Sequence, residues 1–96
     1  MSDAQVTRKP SSESGLGTGL DSLWQVVLHN DDRNSMEHVV GCLMGVFGHP
    51  LQLAAKIMFE AHSRGSAIAE VEPEELARTH QQQLQSYRLV ATVEKV

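Results

Sequence analysis

Residues 23–37, LWQVVLHNDDRNSME, contain the change of pattern that decides the fold. LWQVVLH is a short apolar run with two valines, which predicts a strand whose faces are both at least partly covered. Asn30, Asp31 and Asp32 then end the strand, because these residue types satisfy backbone groups locally in turns. Asn34 with Glu37 three residues later has the form of a capping box, so a helix is expected to begin there.

Two helices are predicted after this turn. Apolar residues recur at spacings of three and four up to Phe47, and Gly48 ends the first helix. Pro50 suits the first turn of a second helix, and Gly65 is its natural C-terminal cap. The two apolar stripes consist of Met36, Val39, Val40, Leu43 and Phe47, and of Leu51, Ala54, Ile57, Met58 and Ala61.

Two further strands are predicted in the second half of the chain. In SAIAEV, which begins at Ser66, alternation puts Ala67, Ala69 and Val71 on one face. LVATVEKV, residues 89–96, closes the chain as a final strand.

A third helix is predicted between these two strands. Pro73 starts it, and Glu74 with Glu75 puts acid in its first turn, as the helix dipole favours. The helix should reach about Tyr87. The order strand, helix, helix, strand, helix, strand predicts an α+β domain, with a three-stranded antiparallel sheet covered by three helices.

The chain before Leu23 has a different composition. Residues 1–22 are rich in Ser, Gly and Thr, and they show no period that could bury a face. We therefore expect a flexible N-terminal extension over residues 1–22 and a single domain over residues 23–96.

Composition and charge exclude several classes of function. The formal net charge of −4 and the lack of a basic cluster argue against nucleic-acid binding. The single cysteine, Cys42, is expected to be a small core residue, and its lack of a partner fits a reducing cytosol. Nowhere do eighteen apolar residues run together, so we expect a cytoplasmic protein without a membrane span.

The residues that carry chemistry suggest a site for a protonated amine. An α-ammonium group has three N–H donors, and it needs acceptors such as the amide oxygen of Asn30, the carboxylate of Asp31 and a neutral imidazole at His62. An apolar side chain would fit beside them, in a pocket of Leu28, Met36, Val39, Met58 and Ala61. Taken singly, each segment also fits a plainer interpretation, an Asx-rich turn that caps a helix or a core methionine beside a hydrogen-bonded histidine.

Taken together, these segments resemble the ClpS adaptors of the bacterial N-degron pathway. The matching pieces, which cover the chain from about Trp24 to Val96, are VVLHNDD, Met36 with Glu37, IMFEAH with His62, Gly65 and the terminal TVEK. The resemblance implies a non-catalytic adaptor that needs no cofactor or metal. Such an adaptor grips the free α-amino group and the side chain of a bulky N-terminal residue (Phe, Tyr, Trp or Leu) and delivers that protein for degradation.

The resemblance also implies residue roles and partners. The α-amino group would be held by Asn30, Asp31 and His62, and the side-chain pocket would be shaped by Leu28, Asn34, Met36, Val39, Met58, Ala61 and Leu89. The partner would be the N-terminal domain of a ClpA-type AAA+ unfoldase acting with ClpP, contacted around Arg33, Glu75 and His80. The protein would be a monomer, and its N-terminal extension would help to deliver the cargo.

Some positions depart from the family pattern. Ala61 stands where a β-branched residue is usual, so we expect a roomier pocket and a preference for Phe, Tyr and Trp over Leu. Asn34 and Ser35 replace a common Thr-Pro, Arg33 stands where an aromatic residue is frequent, and His80 replaces a common Lys.

Two other classes of protein compete with this interpretation. A hydrolase or metal enzyme could use Asp31, Asp32 and His62, although no metal-spaced pair such as HExxH occurs. A generic protein-interaction module would also suit a small α+β fold. Such a module would not distinguish a free α-amino group from an acetylated one.

Overall fold

Three strands and three helices follow one another in the predicted order. The computed structural model describes residues 22–96, so the predicted N-terminal extension lies outside the described residues except for Ser22. The elements are β1 (Leu23–His29), α1 (Met36–Phe47), α2 (Leu51–Arg64), β2 (Ser66–Pro73), α3 (Glu74–Ser86) and β3 (Val90–Lys95). The predicted α+β class and the antiparallel three-stranded sheet are confirmed.

The strand β1 lies in the centre of the sheet. The strand order is β2-β1-β3, and both neighbours run antiparallel to β1. The central position explains the continuous apolar run, because Val26, Val27 and Leu28 are all buried. The buried part of the central strand therefore ends just before the polar loop that contains Asn30 and Asp31.

A β-bulge in β2 overturns one prediction. Val26 lies opposite Glu70 and Val27 lies opposite Ile68, which leaves Ala69 without a partner. An extra residue reverses the alternation of faces beyond it. Val71 therefore lies opposite Gln25 on the open face of the sheet and is 43% exposed, so its predicted place on the face of Ala67 and Ala69 is wrong.

The helix boundaries correct two further details. The N-cap of α1 is Ser35 and not Asn34, because the Ser35 hydroxyl accepts from the backbone N–H of His38 at 3.1 Å. Pro50 is the N-cap of α2 and precedes its first turn. Both predicted C-caps are confirmed, since Gly48 and Gly65 adopt the left-handed conformation with φ of 74° and 95°.

The core between the helices and the sheet is aliphatic. Its largest fully buried side chains are Leu28, Leu43, Leu84 and Val26. Cys42 belongs to this core as predicted, and burial raises the pKa of its thiol. Among the helices of residues 22–96, none is long and apolar enough to cross a membrane.

Candidate functional site

A cavity opens where the end of β1, the following loop, the start of α1 and the end of α2 meet. The enclosed space within it is about 40 Å³. The residues that line it are Leu28, His29, Asn30, Asp31, Asn34, Met36, Val39, Met58, Ala61 and His62. The acceptors proposed for an amino group and the apolar residues proposed for a side chain thus share one cavity.

A backbone hydrogen bond joins the two chain segments that carry the polar side chains. The N–H of Asn30 donates to the carbonyl of Gly65 at 3.0 Å. Gly65 is the residue after α2, and it turns the chain with a positive φ. The polar loop after β1 is therefore fixed next to the last turn of α2, where His62 lies.

The carboxylate of Asp31 accepts several hydrogen bonds at the mouth of the cavity. Its Oδ1 accepts from the backbone N–H groups of Arg33 and Asn34, both at 2.9 Å. Desolvation alone would raise the pKa of Asp31, but the Asn34 side chain, these backbone N–H groups and the Arg33 charge outweigh it and lower the pKa. Asp31 is therefore held as a carboxylate.

The amide of Asn34 completes this arrangement. Its Nδ2 lies 3.1 and 3.0 Å from the two carboxylate oxygens of Asp31 and 2.9 Å from the backbone carbonyl of Arg88. Asn34 was predicted as a cap and as part of the side-chain pocket. It lines the cavity, but its side chain serves Asp31 and Arg88 instead of capping α1.

The wall of the cavity is apolar. Leu28, Met58 and Ala61 are each at most 6% exposed, so their side chains are fixed by the surrounding core. Met36 is 44% exposed and lies at the start of α1. Met36 therefore contributes a partly exposed apolar side chain to the cavity lining.

Every residue predicted for the amino group lines the cavity, and so does every residue predicted for the side-chain pocket except Leu89. Leu89 is 4% exposed and belongs to the main core. His29 also lines the cavity, and its Nε2 is 2.8 Å from Oγ1 of Thr92 on the neighbouring strand. The sequence analysis included His29 in the VVLHNDD segment but gave it no role in the site.

The residues predicted to contact an ATPase lie apart from the cavity lining. Arg33 and Glu75 are exposed. The side chain of His80 is only 19% exposed, because its Nδ1 lies 2.7 Å from a carboxylate oxygen of Glu72. Its ring also packs edge-on against Phe47. Most of His80 therefore lies inside the domain.

In the part of the chain that the structure describes, no three His, Cys, Asp or Glu side chains are grouped so that they could hold a metal ion. Asp31, Asp32 and His62 consequently do not form such a group. What the cavity offers is hydrogen-bond acceptors at an open mouth and an aliphatic wall behind them. A cation with N–H donors and an attached apolar group matches this arrangement.

Comparison with known proteins connects this cavity and fold to one family. Residues 20–92 match the family model of the ATP-dependent Clp protease adaptor protein ClpS. The ClpS adapter protein of Desulforapulum autotrophicum is 34% identical over 101 residues, covering 99% of this chain and 97% of that protein. That of Pectobacterium carotovorum subsp. carotovorum is 35% identical over 80 residues, covering 77% of this chain and 76% of that protein.

A solved structure extends the match to three dimensions. Agrobacterium tumefaciens ClpS2 bound to L-phenylalaninamide superimposes with a TM-score of 0.74 and 28% sequence identity. The match covers 79% of this chain and 99% of the ClpS2 chain. The fold and these relatives define the class of the protein, an adaptor of an ATP-dependent protease. The chain belongs to the ClpS family of Clp protease adaptors.

Proposed function

We propose that this adaptor binds proteins whose first residue is bulky and hydrophobic and passes them to a ClpA-type unfoldase with ClpP. Recognition uses the free α-amino group and the side chain of Phe, Tyr, Trp or Leu. One observation carries the proposal: the three polar acceptors and the apolar wall line the same cavity. The adaptor does no chemistry on its cargo.

The α-amino group is matched by the acceptors at the mouth. An N-terminal amine has a pKa of about 7.7 to 8.0 and is mostly an ammonium at neutral pH, with three N–H donors. Asn30 offers an amide oxygen, Asp31 a carboxylate oxygen and His62 a ring nitrogen. The lowered pKa of Asp31 supports this role, because the carboxylate keeps its charge at neutral pH.

The side chain of the first residue is matched by the apolar wall. Burying a large apolar side chain contributes about 1.5 to 3 kcal/mol, which discriminates a bulky residue from alanine. The ligand of the related ClpS2, L-phenylalaninamide, supports this assignment. Ala61 presents only a methyl group to the cavity, which favours the larger aromatic side chains.

The contact with the unfoldase is proposed at the start of α3. Glu75 is exposed there, and Arg33 is exposed in the loop after β1. Of the three predicted residues, His80 contributes least to this contact, because its ring is mostly buried and pairs with Glu72. We further propose that the protein acts in the cytoplasm as a monomer, and that residues 1–22 help to deliver the cargo.

The experiment is a fluorescence anisotropy titration with labelled peptides that differ only at their first residue. Peptides beginning with Phe, Tyr, Trp, Leu, Ile and Ala are compared, and the Phe peptide is repeated with an acetylated N-terminus. Tight binding of the free Phe peptide, lost on acetylation and weak for Ala, is expected. Binding that ignores acetylation would instead identify a generic interaction module, and no binding would remove the proposal altogether.

A second experiment tests delivery to the protease. A reporter protein with an N-terminal Phe is incubated with a ClpA-type unfoldase, ClpP and ATP, with and without the adaptor. Degradation should require the adaptor and should fall when Glu75 is replaced by Lys, although peptide binding by that variant is unchanged. Equal degradation with the Glu75→Lys variant would contradict the proposed contact.

A further inference from the structure

The side chain of Asn34 connects two parts of the molecule that are far apart in the sequence. Asp31 lies in the loop after β1, whereas Arg88 lies in the turn between α3 and β3. The amide nitrogen of Asn34 is within 3.1 Å of both Asp31 oxygens and of the Arg88 carbonyl oxygen. This contact ties the mouth of the cavity to the end of α3.

Chemistry fixes the orientation of this amide. The neighbours of Nδ2 are a carboxylate and a backbone carbonyl, which only accept hydrogen bonds. Turning the amide over would bring its oxygen against these acceptors. Both N–H groups of Asn34 are therefore used, one on Asp31 and one on Arg88.

The hydrogen bonds of Asp31 are unevenly distributed between its two oxygens. Oδ1 accepts from two backbone N–H groups and from the Asn34 amide, whereas within residues 22–96 Oδ2 accepts only from that amide. A carboxylate has about four acceptor sites, so Oδ2 keeps capacity for another donor. The Asn34 amide is therefore the group that orients Oδ2, the oxygen that can still accept a hydrogen bond.

We propose that Asn34 is a positioning residue for the amino-group site, which anchors the Asp31 carboxylate to the turn after α3 and aims its free acceptor at the cargo. This inference rests on the proposed function and deepens it. Asn34 lines the cavity, but its amide acts through Asp31. A threonine at this position would have one hydroxyl hydrogen and could serve only one of the two acceptors.

Two substitutions test this role, Asn34→Ala and Asn34→Thr, with Gln83→Ala on the exposed face of α3 as the matched control. The first readout is the affinity for two peptides with free N-termini, one beginning with Phe and one beginning with Leu. The second is the pH at which the side-chain carboxyl carbon of Asp31 titrates in NMR spectra recorded without peptide. The carboxyl carbon reports on Asp31 itself and not on His29 or His62, which line the same cavity. Both variants keep the Arg33 charge, so a change in the titration comes from the loss of the Asn34 amide.

Asn34→Ala should weaken binding of the free Phe peptide about ten-fold, as expected for a lost hydrogen bond to a charged group. It should also move the titration of Asp31 to higher pH, because the carboxylate loses a donor. Asn34→Thr should fall between the wild type and Asn34→Ala in both measurements. The control should match the wild type.

An unchanged Asp31 titration in Asn34→Ala would overturn the inference, even if binding weakened. A loss of affinity that differs between the Phe and Leu peptides would do the same, because it would assign Asn34 to the side-chain pocket. An amino-group role predicts the same loss for both peptides. If the wild type bound no peptide, the proposed function would fail, while the Asp31 titration would still decide whether Asn34 positions the carboxylate.

Discussion

Ala61 is the residue that we propose limits the space for the first residue of a cargo protein. It is 3% exposed and belongs to the buried core as well as to the cavity wall. Because α2 packs on the core, its backbone cannot shift to make up for a change in the size of the side chain at this position. We therefore propose that the size of this one side chain limits the space in the cavity.

Replacing Ala61 by Val should shift the preference from Trp toward Leu. The added methyl groups fill cavity space that a large aromatic side chain needs, at a cost of about 1 to 3 kcal/mol in unfolding free energy if the core must adjust. The ratio of Trp-peptide to Leu-peptide affinity, measured by anisotropy, should fall. A ratio equal to that of the wild type would remove Ala61 as the determinant of size.

Replacing Met36 by Ala should relax the discrimination against Ile. A residue branched at Cβ would collide with the Met36 side chain at the cavity mouth, whereas Phe would pass it. The affinity for an Ile peptide relative to a Phe peptide should therefore rise in the variant. Met44→Ala is the matched control, since Met44 is 38% exposed on the same helix and does not line the cavity.

The contribution of Asp31 to stability should depend on pH in a defined direction. Its folded-state pKa is lowered, so the stabilisation is present above the ordinary aspartate pKa and is lost as pH falls through the folded-state value. Urea unfolding at pH 7 should show Asp31→Asn to be less stable than the wild type. The difference should shrink near pH 3, and a constant difference would contradict the assignment.

At the scale of elements, the turn after α2 affects both stability and the site. Gly65 has a φ of 95°, and its carbonyl accepts from Asn30. Gly48 after α1 has a φ of 74°, and its backbone N–H donates to Met44, which does not line the cavity. An added Cβ meets nothing within 4 Å at either glycine, so a substitution changes only the backbone energy.

Gly65→Ala and Gly48→Ala should therefore be similar in stability but different in binding. Each should lower the free energy of unfolding by about 1 to 2 kcal/mol, because a non-glycine residue is strained at positive φ. Only Gly65→Ala should weaken binding of the Phe peptide, since it disturbs the carbonyl that holds Asn30. Urea unfolding and peptide titration on both variants check this, and equal affinities would contradict it.

At the scale of the whole molecule, one core connects the sheet to all three helices. Leu84 of α3 is fully buried in this core but does not line the cavity. Trp24, the only tryptophan, lies on β1 with the Arg78 guanidinium of α3 5.1 Å from the centre of its ring. Its fluorescence therefore reports on the contact between α3 and the sheet.

Unfolding should be cooperative across this core. Trp24 fluorescence and far-UV circular dichroism should give the same urea midpoint, as expected of a small two-state domain. Leu84→Ala should lower the free energy of unfolding by about 2 to 5 kcal/mol and shift both midpoints together. Two separate transitions would mean that α3 and the sheet unfold independently.

The parts of the structure that the sequence predicted are the parts that local chemistry controls. Periodicity and the glycine caps gave the elements and their order, because they depend on neighbours within a few residues. The bulge at Ala69 was missed, since the register of β2 depends on its pairing with β1. The cap at Ser35 was missed because Asn34 bonds to Arg88, 54 residues away.

The bulge in β2 has a further consequence for self-association. Within the described residues β2 is an edge strand, and a straight, apolar edge is a template for pairing with another chain. Ile68 and Val71 are both exposed on this strand. The extra residue at Ala69 bends and twists the edge between them, and Pro73 removes an N–H donor at its end. This edge is thus poorly shaped for amyloid-like growth.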